Sequence, residues 1–158
     1  MTKAGLTTIS IIFASALLFA QNKADDIPVS DLPADVKAVV DAYAKLLKES
    51  KSIDEAATAF RPLAGGSLVN DNGSLTSNTV QFGFKKDYNN FKHYQYPVVI
   101  TRVNKTISRG EGYGLQKIAG PRYKIWIAKD DPAKGMPAPV SIIAPEGGAP
   151  RIVNVGSF

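Results

Sequence analysis

The hydrophobic period of the chain changes partway along its length, and that change limits the folds open to it. Between Pro33 and Glu49, Val36, Val39, Val40, Tyr43, Leu46 and Leu47 recur at three- and four-residue steps. That spacing puts them on one stripe of a helix. Asp35, Lys37, Asp41, Lys45 and Lys48 fall mainly on the opposite side, with Asp41 four residues ahead of Lys45 in the favourable order for an ion pair. Ser52 and Glu55 then form a capping-box pattern, in which each side chain can meet the other's backbone amide. The helix they start carries the small face Ala56, Ala57 and Ala59 with Phe60 and Leu63, and ends at Pro62 and Gly65-Gly66.

Beyond Pro97 the pattern is one of strands divided by turn residues. Pro97 to Val103 is β-branched and extended, and Ser108 to Ile118 contains Gly110, Gly112 and Gly114, the mark of a bulge or sharp bend. In Arg122 to Lys129, Tyr123, Ile125 and Ile127 face one way and Lys124 and Trp126 the other. Val140 to Ala144 and Arg151 to Val155 form a closing pair across a Pro- and Gly-rich loop. Between the two regions the pattern has two readings. Val80, Phe82 and Phe84 alternate as a short strand over 79–84 would, followed by a short helix at 85–93; Val80, Phe84, Tyr88 and Phe91 also make a helix stripe. The strand is preferred, because Gly83 would cost a continuous helix about 1 kcal/mol. The expected order is therefore α-α-β-α-β-β-β-β-β. It makes an α+β fold with N-terminal helices packed on a curved antiparallel sheet.

At the start, Lys3 precedes the uncharged, mostly apolar stretch Leu6 to Phe19, and the small Ala20 follows. This is the pattern of a cleaved export signal over residues 1–20, since the apolar stretch falls short of the roughly 20 residues of a membrane span. Residues 21–32 read as a flexible lead-in and 33–158 as one domain. The chain has no cysteine, so the domain must hold by packing without disulfides, which fits a bacterial periplasmic or secreted protein. Its net charge of +5 is concentrated in the strand region but scattered there, so nucleic acid is not an expected partner.

Tests for chemistry give little. One histidine, His93, and no cysteine supply no metal-ligand set. The serines lack a nucleophile-elbow pattern. Gly110-Glu111-Gly112-Tyr113-Gly114 lacks the spacing and following helix of a nucleotide loop. No cofactor is expected. What remains is a group of aromatic and polar residues able to line a pocket: Tyr43, Tyr88, His93, Tyr94, Arg102 and Tyr113. Trp126, on the face opposite the isoleucines, is a candidate interface residue for a homodimer through the sheet.

From Pro33 to Phe158 the element order resembles the nuclear transport factor 2-like superfamily, a cone of curved sheet wrapped around helices. Phe84-Lys85-Lys86-Asp87-Tyr88 and Tyr123-Lys124-Ile125-Trp126-Ile127-Ala128-Lys129 also resemble a group of uncharacterised exported bacterial proteins of that architecture. The resemblance implies a pocket between sheet and helices, used for binding or for ketosteroid isomerase-like chemistry. In the catalytic case Asp87 or Glu111 would be the base, with Tyr43 or His93 as hydrogen-bond partner. The two acids do not form a dyad in sequence, so the first expectation is a non-catalytic exported domain that binds a small molecule or a protein. The alternative is an isomerase or lyase using the cone pocket.

Overall fold

The computed structural model describes residues 24–158. The proposed signal over 1–20 and the first residues of the lead-in lie outside them. The fold is α+β, with three helices on one face of a five-stranded antiparallel sheet. Among the described residues, no helix is long and apolar enough to cross a membrane.

Helix α1 spans Ala34–Glu49 and buries Val36, Val40, Tyr43, Ala44, Leu46 and Leu47, with Val39 partly buried against them. The predicted stripe is therefore the core-facing one. On the outer side Asp41 pairs with Lys37 at 2.7 Å instead of with Lys45, which turns toward Glu49 at 4.0 Å. Helix α2 spans Ile53–Phe60. Its cap forms from Ser52 Oγ, which accepts from the amide of Glu55 at 3.2 Å, but the Glu55 carboxylate accepts from Lys51, one residue before the expected amide.

The segment 79–84 is helical, not a strand. Thr79–Phe84 forms a π-helical turn that runs on into α3, Lys85–Asn90. Phe82 is 66% exposed while Phe84 is buried, as the Val80, Phe84, Tyr88, Phe91 stripe requires and as strand alternation forbids. Gly83 has a packing reason: a methyl there would come within 2.7 Å of Val155 Cγ2. The glycine lets the segment after the last strand cross the helix closely.

The strands are β1 (Asp25–Ile27), β2 (Ile100–Glu111), β3 (Ile118–Ile127), β4 (Ala138–Ile143) and β5 (Arg151–Asn154), paired in sequence order. Two sequence expectations change here. The expected separate strands at 97–103 and 108–118 are one long β2 and the turn after it, with the irregularity between Ser108 and Glu111 where the glycines suggested a bulge. Part of the expected flexible lead-in is β1, which pairs with Val103–Lys105 of β2. Asp25-Asp26-Ile27 is too short for a period to show, and only the partner strand gives it a structure.

One face of the sheet presents Val103, Tyr123, Ile125, Ile127, Val140, Ile142 and Ile152 to the helices. Between the layers Phe60 stacks on Phe84 at 4.8 Å and Phe158 meets Tyr94 at 4.6 Å. The link after α2 binds the sheet edge: Ala64 bridges to Ile152, and the Gly65 amide donates to the Ile152 carbonyl at 2.9 Å. Gly66 then abuts Gly112 at the end of β2, where a methyl on Gly112 would lie 2.6 Å from the Gly66 carbonyl carbon. Gly112 also has φ of 88°, in the left-handed region.

Gly112→Ala therefore meets both a backbone clash and an unfavourable φ. It is expected to lose at least about 2 kcal/mol of stability in denaturant melts, against a few tenths for a surface Gly→Ala with free space. A neutral result would mean that the contact between β2 and the 64–68 link gives way at no cost.

Candidate functional site

The residues singled out by sequence fall in three places. Tyr43 and Asp87 meet inside the protein, where the Tyr43 hydroxyl donates to Asp87 Oδ2 at 2.8 Å. Asp87 is 2% exposed. Its carboxylate also accepts from the amides of Gly156, at 2.7 Å, and Phe158, at 2.9 Å. Neighbours on the same helix complete the hold: Lys86 donates to the Gly156 carbonyl at 2.8 Å and Asn90 to the Phe158 carbonyl at 3.1 Å. Burial raises the Asp87 pKa above the usual carboxyl value, and the Gly156, Tyr43 and Phe158 donors and the Lys86 charge only partly offset it. Burial, then the Asp87 charge, pushes the Tyr43 phenol well up. The carboxylate is occupied on both oxygens by groups of the protein itself. The pair acts as a tether for residues 156–158.

The other candidates do not join it as a site. Tyr94 is buried against Phe91 and Phe158, where burial raises its pKa. The half-buried Tyr88 hydroxyl donates to the Ser50 carbonyl at 3.1 Å. His93 is exposed on the turn after α3. Glu111 pairs with Arg122 at 2.9 Å at the far end of β2. Tyr113 is 86% exposed in the β2–β3 turn. Arg102 is exposed and pairs with Asp26 at 2.9 Å, a contact that lowers the Asp26 pKa. Trp126 lies on the outer face, as its alternation required, half-buried between two cations: Arg102 at 4.9 Å and Lys124 at 5.1 Å from its ring centre. The expected pocket set is thus split between core, helix surface and sheet. Among the described residues, no three His, Asp or Glu side chains gather as metal ligands would.

The sheet has a concave site on the face away from the helices. A groove of about 420 Å³ is lined by Asn104 and Thr106 of β2, Arg122 and Lys124 of β3, Pro139 and Ser141 of β4 and Asn154 of β5, with Ala24 and Ser157 at its ends. Register explains the grouping. Asn104 lies opposite Lys124, Lys124 opposite Ser141, and Ser141 opposite Asn154, so one polar row crosses four strands. Thr106 lies opposite Arg122 in a neighbouring row. Ser141 is only 5% exposed, yet no buried side-chain oxygen or nitrogen among the described residues lacks a partner. Its hydroxyl, which bonds to no protein group among the described residues, is therefore open to the groove. Lys124 has no carboxylate partner among the described residues, and Asn104 bonds to Asp26 at the rim.

Sequence reasoning noted the Lys124 and Trp126 face but missed Asn104, Thr106, Ser141 and Asn154. The available signal was parity, since each occupies the strand face opposite its apolar neighbours. Only the register shows that they are adjacent. Ser157 joins the groove because the tether directs Gly156 and Phe158 inward. Compared with known proteins, the chain matches no family model, no curated protein and no solved structure.

Two outcomes test the tether. Tyr43→Phe is expected to lose about 2 kcal/mol in denaturant melts, the scale of a buried hydrogen bond to a charged acceptor. The sign of the pH effect follows from the raised Asp87 pKa: the folded protein holds this proton more tightly than the unfolded chain. The resulting stabilisation is full below the ordinary carboxyl value, about 4, and is lost as pH rises through the folded value. Measured as a difference from the non-titrating Asp87→Asn variant, wild-type stability should decline from pH 4 toward pH 7. A rise over that range would mean that the donors outweigh burial.

Proposed function

We propose that this chain is a non-catalytic binding domain of an exported protein, and that the groove on the outer sheet face takes a small polar molecule. The observation that carries this reading is the row Asn104, Lys124, Ser141 and Asn154, in which successive strands contribute polar side chains to one concavity. Its volume of about 420 Å³ falls within the range of small-ligand sites. A paired sheet is a rigid mount for such groups, so little ordering is required of the site on binding. Export is supported by Lys3, the apolar stretch Leu6 to Phe19 and Ala20, together with the absence of cysteine.

The isomerase alternative would require Asp87 or Glu111 to meet a substrate. The Asp87 oxygens are instead engaged by Tyr43, Gly156 and Phe158, Glu111 is paired with Arg122, and neither acid lines the groove. A homodimer through the sheet would set Arg102, Arg122 and Lys124 against their copies, which like-charge repulsion disfavours. The charge argument supports a ligand over a second copy as the occupant of this face.

The test is a thermal-shift panel of sugars, organic acids and amino acids on the wild-type protein and on Asn154→Tyr. That variant fills the groove from an exposed strand position. A ligand at a hundred times its Kd should stabilise the wild type by about 2.7 kcal/mol and leave the filled variant unmoved. Equal shifts in both proteins, or none in the wild type, would remove the groove as the site.

A further inference from the structure

Charge and hydrogen-bonding character narrow the kind of molecule the groove would hold. Among the described residues its lining contains two cations, Arg122 and Lys124, and no acid. The acids nearest in register are already engaged, Asp26 with Arg102 and Asn104, and Glu111 with Arg122. One Arg122 nitrogen, Nη1, makes the bond to Glu111, so the guanidinium keeps further donors for a ligand. Lys124 contacts the Trp126 ring and, among the described residues, no carboxylate. A cation left without an acid in a concave site is a place for an anion, and a charge-assisted hydrogen bond is roughly twice as strong as a neutral one.

The rest of the lining selects further. Thr106, Ser141 and Ser157 carry hydroxyls, and Asn154 an amide, and among the described residues none of these side chains has a protein partner. Each group can both donate and accept, which matches ligand hydroxyls that do the same. Among the described lining residues only Ala24 and Pro139 are apolar, so a greasy ligand would leave most of these groups desolvated and unpaired. From this complementarity we infer that the groove binds a small hydroxylated organic anion, a sugar-sized molecule whose carboxylate or phosphate lies between Lys124 and Arg122 and whose hydroxyls reach Thr106, Ser141 and Asn154. The inference rests on the groove being the binding site.

The single tryptophan provides a direct readout, because Trp126 lies against Lys124. Wild-type protein is titrated at low salt with D-glucuronate, D-glucose 6-phosphate, D-glucose and inorganic phosphate, following Trp126 emission and binding heat. At least one of the two charged sugars should bind tenfold or more tighter than glucose and than phosphate, with a change in emission. Lys124→Gln should weaken that binding about tenfold and remove the preference over glucose, while its melting temperature stays near that of the wild type. Glucose binding as tightly as both charged sugars overturns the anion assignment, and the groove reading survives if Asn154→Tyr abolishes that binding. Phosphate binding as tightly as the sugars overturns the role of the hydroxyls. Charged-sugar binding that ignores both Lys124→Gln and Asn154→Tyr overturns the groove itself, and no binding of any probe overturns the inference.

Discussion

Asp87 is a carboxylate placed where a carboxylate is costly, and the way it is satisfied organises the end of the fold. Desolvation works against its charge, while one phenol and two backbone amides hold it. The amides belong to Gly156 and Phe158, so the acid does for this segment what a further strand would otherwise do: it supplies partners to backbone groups that leave the sheet and enter the core. Phe158 can then pack between Tyr43, Phe91 and Tyr94. Without the tether those aromatic contacts lose the anchor that sets their geometry. The helix layer and the sheet layer are joined here by a polar contact as well as by apolar burial.

This arrangement also explains why residues 79–84 are helical although their local pattern favoured a strand. Gly83 argued against a helix on propensity alone. In the structure it is the position where Val155 passes closest, and a side chain there would obstruct the segment that Asp87 holds. A long-range contact had determined a local residue, so local preference pointed the wrong way. The competing stripe of Val80, Phe84, Tyr88 and Phe91 was visible, but six alternating residues are too few for period alone to arbitrate. The longer stripe of α1 and the alternation around Ile125 and Ile127 were legible because burial of one face repeats over many residues in each.

The candidate functional residues were less legible for a different reason. Tyr43 reads as core from its place in the stripe, and it is core. Its bond to Asp87, 44 residues away, leaves no trace in local spacing. The groove poses the same problem across strands. Polar residues on the open face of a sheet are ordinary one strand at a time, and only pairing shows that Asn104, Lys124, Ser141 and Asn154 share a row. Register is fixed by burial of the opposite face, since a one-residue slip would turn Ile125 and Ile142 outward. The apolar pattern that was readable thus determines the polar pattern that was not.

That dependence connects tether and groove. Along residues 156–158 the amides of Gly156 and Phe158 turn to Asp87, and Ser157 between them lines the groove. The groove proposed as the binding face is therefore completed by a residue whose position is set within the core. A substitution at Asp87 reaches the groove without touching it, through the single residue between two tethered neighbours. In this fold the interior carboxylate is a positioning group, and the chemistry open to solvent lies on the other side of the sheet.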